Sequence, residues 1–364
     1  MSDNVDLRVG ADLKNKIPGI RVEHFPSYQI SSDLYTPADA FHLELANPET
    51  EIKTGLICEL YINNQRELTG IIDKVSRKVD SGGVSLSVEG RDLMGLLVDS
   101  YCESWKTVTG YTIKSLAEML LAKVPFINRK DIRYQQNVVG RLKGKKGKSG
   151  SSGLLAGSDT AQQISQIEPG MTIFDVLKNY SLSRGMLFYC EPDGTLVFGR
   201  PMAKGVPEYT LQILKIGVGN NVIESELTED ISQRYSKVMI VGQQQGSQST
   251  ATAAGINTTA VVTDAEFPFY KPYVTQDNND NVSPKERARL TMEKQRREGK
   301  QLIYKVGRHS QNGKNWRINN FCHIKDEVQK IDGDYLIYGR TFDLSEDAGP
   351  TTTLKLGMPG LIAG

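Results

Sequence analysis

The stretch GIIDKVSRKVDSGGVSLSVEGRD, residues 70–92, decides the fold. Apolar and polar residues alternate, the run Asp80, Ser81, Gly82, Gly83 interrupts, and the alternation resumes. This is the pattern of a β-hairpin. Ile71, Asp73, Val75, Arg77 and Val79 are expected on one face of the first strand. Val84, Leu86 and Val88 point one way from the second, with Ser85, Ser87 and Glu89 opposite. Gly82 and Gly83 are expected to supply the positive-φ positions of the turn. The same plan returns about 265 residues later as LIYGRTFDLSEDAGPTTTLKLG, residues 336–357.

Upstream of the first hairpin the chain reads as further strands. GIRVEHFPSYQI (19–30), AFHLELAN (40–47) and GLICELYINN (55–64) are short, rich in β-branched or aromatic residues, and end in turn formers. Phe41, Leu43 and Leu45 alternate with His42, Glu44 and Ala46, and Asn63-Asn64 makes a turn. Many short strands joined by tight turns indicate a small barrel or sandwich. From residue 91 the period lengthens. RDLMGLLVDS reads as a short helix, and Ile113, Leu116, Ala117 and Leu120 lie on one face of a second. Thr172 with Asp175 three residues on forms a capping box, followed by a buried face of Ile173, Val176, Leu177 and Tyr180. MLFYCEPDGTLVFGRP is a hairpin about the Pro192-Asp193-Gly194 turn. A strand over 235–241 leads into a polar loop. SPKERARLTMEKQRREGKQ is a helix with Ser283 as N-cap, Pro284 at N1, Glu286 closing the box and Gly299 as its stop. Its narrow apolar seam is Ala288, Leu290 and Met292. Strands follow again in QLIYKVGRHS and FCHIKD.

Composition bounds the function. Forty-four Lys and Arg against 43 Asp and Glu leave a net charge of +1, which marks no dedicated nucleic-acid or anionic-membrane binder. No apolar run reaches the roughly 18 residues needed to span a bilayer, so stable membrane association is not expected. The N-terminus lacks the basic and apolar regions of a secretory signal, which implies synthesis and folding in the cytoplasm, or at least no export by that route. Cys58, Cys102, Cys190 and Cys322 are scattered, so reduced thiols are expected. Cys322-His323 alone makes no metal site. There is no GxGxxG after a strand, P-loop, HExxH or GxSxG motif. His24, His42, His309 and His323 sit in strand-like segments without a partnered nucleophile. No catalytic, cofactor or metal residues are assigned, and the chain is not expected to be an enzyme. The Gly/Ser-rich segment 140–163 carries Arg141, Lys143, Lys145, Lys146 and Lys148. It is a solvated loop or a basic contact for an acidic partner or for phosphates; no aromatic residue is interleaved to stack on bases.

LTGIIDKVSRKVDSGGVSLSVEGRDLMGLLVDS resembles the first barrel of the hub proteins of contractile phage tails. The resemblance is nearest to the Mu-like tail protein P family, within the wider group of T4-like hubs, late-control D proteins and VgrG N-terminal regions. The residues that carry it are Gly70, Ile72, Asp73, Val75, Val84, Leu86, Gly90, Arg91, Asp92, Leu97, Val98 and Asp99, with the helix–hairpin MTIFDVLKNYSLSRGMLFYCEPDGTLVF and the closing TTTLKLGMP. It implies a mainly β fold with α+β inserts, made of two similar small β-barrel domains, an α+β domain and a peripheral helical and loop region. The boundaries are 1–100 for the first barrel, 101–205 for the α+β insert, and 206–364 for the second barrel with a surface helix near 283–298. Gly70, Gly82, Gly83 and Gly90 become turn and bulge residues, and Arg91 and Asp92 cap the first helix. The resemblance further implies a homotrimeric, pseudo-six-fold ring in the tail baseplate of the virion. Such a ring joins a six-fold tail tube protein to a three-fold central spike protein, contacts other baseplate proteins, and lets DNA pass. A receptor- or carbohydrate-binding tail protein and a tail-associated cell-wall hydrolase are the alternatives.

Overall fold

A computed structural model of the chain describes residues 3–15, 17–48, 50–105, 111–135, 167–182, 186–243, 257–277, 284–345 and 347–359. Seven strands open it: β1 (Val5–Val9), β2 (Ile20–Val22), β3 (Ser27–Asp33), β4 (Ala40–Ala46), β5 (Ile57–Ile62), β6 (Gln65–Asp80) and β7 (Gly83–Asp92). Helices α1 (Met94–Asp99), α2 (Ile113–Leu120) and α3 (Ile173–Leu182) follow, with strands β8 (Arg133–Tyr134), β9 (Leu187–Cys190) and β10 (Leu196–Gly199). Next come β11 (Tyr209–Ile213), β12 (Val222–Glu229), β13 (Lys237–Gln243), β14 (Asn257–Thr263), β15 (Pro272–Asp277) and α4 (Pro284–Glu298). The chain closes with β16 (Lys300–Gly307), β17 (Ser310–Gln311), β18 (Lys314–Asn315), β19 (Asn320–Asp326), β20 (Ile331–Ser345) and β21 (Gly349–Gly357).

Among the described residues, thirteen strands form one sheet, in the order β12-β16-β21-β20-β3-β4-β7-β6-β5-β1-β2, with β19 on β20 and β11 on β19. The first and second hairpins therefore share a single sheet, joined where β20 pairs with β3 over Gly339↔Asp33 to Leu344↔Tyr28. One apolar core runs under both. It includes Ile30, Leu43, Leu60, Leu86 and Val88 from the first half and Tyr209, Tyr304, Ile324, Phe342 and Leu354 from the second.

A second core gathers α1–α3 and the β9–β10 hairpin around Leu97, Leu116, Leu177, Tyr180, Phe188 and Phe198. The expected capping box is formed: the Asp175 amide donates to Thr172 Oγ1 and the Thr172 amide to Asp175 Oδ2, both at 3.1 Å. A separate sheet, β14-β13-β15, carries α4 on one face, where Ala288 and Met292 pack on Val238 and Ile240. Leu290 turns instead toward Phe321, Leu336 and Tyr338. The seam of three apolar residues thus reaches two cores. Ser283, the expected N-cap, lies outside the described residues, but the Gly299 amide does close on the Gln295 carbonyl at 2.9 Å.

Two local readings change. The alternation in β6 does not run unbroken, because its register against β7 shifts between Ile72 and Lys74. A bulge at Asp73 inserts one residue and inverts the phase. Leu68 and Ile72 are buried before it, and Val75 faces the core after it, so Ile71 does not share the face of Val75. In the turn only Gly83 takes positive φ, at 124°. Gly82 instead donates its amide to Asp80 Oδ1 at 2.8 Å, an Asx turn. Strands β14 and β15 have no counterpart in the sequence reading, since NTTAVVT and PYVTQD lack a clean alternation.

Candidate functional site

The distal half of β6 is an arm. Strand β5 pairs with β6 only from Gln65 to Ile71. Beyond the bulge, residues 73–80 are hydrogen-bonded to β7 on one side, and no described strand pairs with them on the other. Their side chains are exposed except for half-buried Val75, and Val79 is 71% exposed. Lys74, Arg77 and Lys78 lie along this edge, with Lys74 Nζ 2.8 Å from Glu89 Oε1 and Lys78 Nζ 3.4 Å from Asp80 Oδ2. At the far end of the sheet, β12 pairs with β16, and no described strand pairs with its second side. It carries Glu224, Glu226 and Glu229, with Asp230 next. An open sheet edge presents unpaired backbone N–H and C=O groups and is a template for another strand.

The glycines at the base of the arm are steric necessities. A Cβ on Gly70 would lie 2.0 Å from the Arg91 carbonyl oxygen. On Gly90 it would lie 2.4 Å from the Ile71 carbonyl oxygen and 2.5 Å from the Phe41 ring, which covers the gap. Arg91 bridges the two ends of this region. Its guanidinium donates to Asp73 Oδ2 at 2.6 Å, beside the bulge, and to Asp99 Oδ2 at 2.5 Å, at the end of α1. Hydrogen bonds from Arg91 hold the Asp99 carboxyl below its ordinary value. Arg91 therefore ties the arm to the C-terminal end of α1 rather than capping its start. Asp92 does meet the helix start, accepting the Met94 amide at 3.0 Å. Burial, with the Asp39 carboxylate beside it, pushes the Asp92 carboxyl up. Arg141, Lys143, Lys145, Lys146 and Lys148 lie outside the described residues. Cys322 is buried, and His323 Nδ1 lies 2.7 Å from Asp334 Oδ1.

The two halves of the sheet are the same arrangement twice. Read from one side to the other, the first half runs β5-β6-β7-β4-β3 and the second β19-β20-β21-β16-β12, every neighbour antiparallel. Both long strands carry a bulge at the same place, Ile72/Lys74 in β6 and Ile337/Gly339 in β20. By this correspondence the arm of β6 matches the part of β20 that pairs with β3. Strand β3 in turn matches β12.

The joint between the halves is a buried polar network. The Arg340 guanidinium donates to Glu67 Oε2 and to the Trp316 carbonyl, both at 2.6 Å, and to Ser32 Oγ at 3.1 Å. Asn315 donates from Nδ2 to the other Glu67 oxygen at 2.6 Å and to the Ile62 carbonyl at 2.8 Å. The Arg340 and Glu67 side chains are 3% and 0% exposed. Both charges are thus enclosed and paired, as a low-dielectric site requires.

Beside this network, His309 is fully buried. The Thr352 hydroxyl donates to the Arg308 carbonyl at 2.7 Å, so its oxygen accepts from His309 Nδ1 at 3.2 Å. Nε2 is then the acceptor for the Tyr28 hydroxyl at 2.6 Å. This neutral tautomer satisfies both nitrogens, and a second ring proton would break the Tyr28 bond. Burial accordingly lowers the imidazole pKa from 6.5 to about 4. A folded pKa below the unfolded one contributes stability that is complete above pH about 6.5 and is lost as the pH falls to about 4. Asp39 acts in the opposite sense, since burial raises its carboxyl from 3.8 to about 6. Comparing wild type with His309→Gln cancels the Asp39 contribution. The stability gap between the two proteins is expected to narrow by on the order of 3 kcal/mol between pH 6.5 and pH 4. Urea titrations across that range measure it, and a pH-independent gap would contradict the neutral-histidine network.

Residues 12–92, which hold β2–β7 and the arm, match the family model described as Mu phage baseplate assembly protein GpP-like, N-terminal. Over the whole length, the chain is 22% identical to the baseplate hub protein gp44 of Escherichia phage Mu, across 98% of this chain and 88% of that protein. It is 26% identical to a tail protein from Neisseria meningitidis MC58, with a TM-score of 0.77 over 100% of this chain and 98% of the other. The 43 kDa tail protein of prophage MuSo2 from Shewanella oneidensis has the same fold at 23% identity and a TM-score of 0.74, covering 99% and 100% of the two chains. The Mu-like resemblance carried by Gly70, Gly90, Arg91 and Asp92 thus falls in the segment the family model matches.

Proposed function

We propose that the chain is a structural protein of a phage tail and serves as its baseplate hub. The observation that carries this reading is the doubled half-sheet, in a chain similar along its whole length to a Mu baseplate hub protein. One chain contributes two equivalent units, and three chains then contribute six. Such a ring has three-fold symmetry in its chains and near six-fold symmetry in its units. It can bind a six-fold tail tube on one face and a three-fold spike on the other, with an open centre through which DNA passes. Closed rings of this kind are built from heterologous contacts, in which one patch of each chain meets a different patch of the next. The protein then resides in the tail baseplate of the virion, among other baseplate proteins, and its role is assembly without catalysis. Among the described residues, no helix is long and apolar enough to cross a membrane.

Electron microscopy of the purified protein tests the arrangement. Views down the ring axis are expected to show six lobes around a hole. Compact particles without a hole would contradict the hub reading.

A further inference from the structure

The doubled half-sheet predicts which strands meet between chains. Within one chain the halves are joined by β20 against β3. The equivalent of that part of β20 is the arm of β6, and the equivalent of β3 is β12. Both equivalents have an open edge among the described residues. We infer that the arm of one copy pairs antiparallel with β12 of a second copy, repeating between chains the joint that exists within each. The inference rests on the ring proposed above and names its interface.

The register follows from the two bulges and the ladders. Matching Ile72/Lys74 to Ile337/Gly339 sets Lys74, Ser76 and Lys78 equivalent to Gly339, Thr341 and Asp343. Strand β4 meets β7 as β16 meets β21, so Phe41 corresponds to Leu302 and Leu43 to Tyr304. Their partners then set Gln29, Ser31 and Asp33 equivalent to Glu226, Thr228 and Asp230. The intrachain pairs Gly339↔Asp33, Thr341↔Ser31 and Asp343↔Gln29 become Lys74↔Asp230, Ser76↔Thr228 and Lys78↔Glu226 between copies.

The side chains suit these positions. Inside the chain, Gln29 Nε2 donates to Asp343 Oδ1 at 2.9 Å, and the hydroxyls of Ser31 and Thr341 lie 3.2 Å apart. Between copies the first pair is replaced by lysine against glutamate, and the second is again hydroxyl against hydroxyl. Lys74, whose Nζ lies 2.8 Å from Glu89 Oε1 within the chain, meets Asp230, a second opposite-charge pair. Opposite charges directly across an antiparallel pair are favourable, and like charges are not. On the other face, exposed Val79 would be covered, and half-buried Leu227 would meet the stem of Arg77. The occupant is a second copy of this chain because both edges, with complementary charge and matching register, belong to the same sheet.

Cysteine cross-linking tests the register. Ser76→Cys and Thr228→Cys, placed on one chain, put thiols on directly opposed, exposed positions of neighbouring copies. The four native cysteines are buried and stay out of reach. Mild oxidation of the full-length double variant is expected to give a covalent trimer that reverts to one chain on reduction. The shifted pair Ser76→Cys with Glu224→Cys is expected to give at least about tenfold less, since opposed disulfide partners need Cα atoms within about 7 Å. Light scattering on the unoxidised variants separates the outcomes. A trimer that does not cross-link, or that cross-links equally through the shifted pair, overturns this interface and leaves the hub reading standing. A monomer without cross-links overturns both.

Discussion

Replacing Arg340 with methionine is expected to destabilise the protein by about 3–5 kcal/mol, the cost of leaving a buried carboxylate unpaired. Glu67 is fully enclosed, and the Arg340 guanidinium is its only cation within ion-pair distance among the described residues. Asn315 alone cannot neutralise it. The same change also strips the Trp316 carbonyl and Ser32 hydroxyl of their donor. The double variant Glu67→Gln with Arg340→Met removes the stranded charge and is expected to recover part of that loss. Both are read from urea midpoints at one fixed protein concentration, because an oligomer's stability depends on concentration. The ion pair lies where β20 meets β3, so the single variant is also expected to become sensitive to protease between its two half-sheets. A single variant as stable as wild type would mean that Glu67 is not buried as an ion beside Arg340.

Gly70→Val is expected to cost about 4 kcal/mol or more, the range of severe backbone clashes. The new Cβ would sit 2.0 Å from the Arg91 carbonyl oxygen and 2.9 Å from the Asp92 Cα. These are backbone atoms of a paired strand and cannot rotate away, so β6 and β7 would have to separate at the base of the arm. Gly333→Ala in β20 is the control. Its Cβ meets only the Tyr335 ring, at 3.7 Å, and stability is expected to change by less than about 1 kcal/mol. Equal effects at the two glycines, measured by thermal unfolding, would contradict the steric account.

Local rules carried much of this fold. Phe41, Leu43 and Leu45 are buried in strict alternation along β4. Asn63 and Asn64 both take positive φ, at 50° and 60°, as a tight hairpin turn demands. The doubled hairpin was visible in the sequence because its spacing and turn chemistry survive where its residues differ. Tertiary facts were less visible. Residues 28–33 and 339–344 join the halves of the sheet, and nothing in either segment names a partner some 300 residues away. The burial of Arg340 and Glu67 leaves no mark in the sequence, because periodicity records polarity and cannot see that two charges satisfy each other. The bulge at Asp73 was hidden for a related reason, since valines at 75 and 79 extend an alternation that the backbone has already shifted. The acidic edge of β12 is not legible either, because Glu224, Glu226 and Glu229 read as any solvated strand.

The molar mass of the purified protein in solution tests the central claim most directly, measured by light scattering over a wide concentration range. The doubled half-sheet with two complementary open edges predicts a closed assembly of about three times 40.3 kDa, constant as concentration rises. A monomer that persists at high concentration, or a mass that grows without limit as chains add end to end, would contradict it.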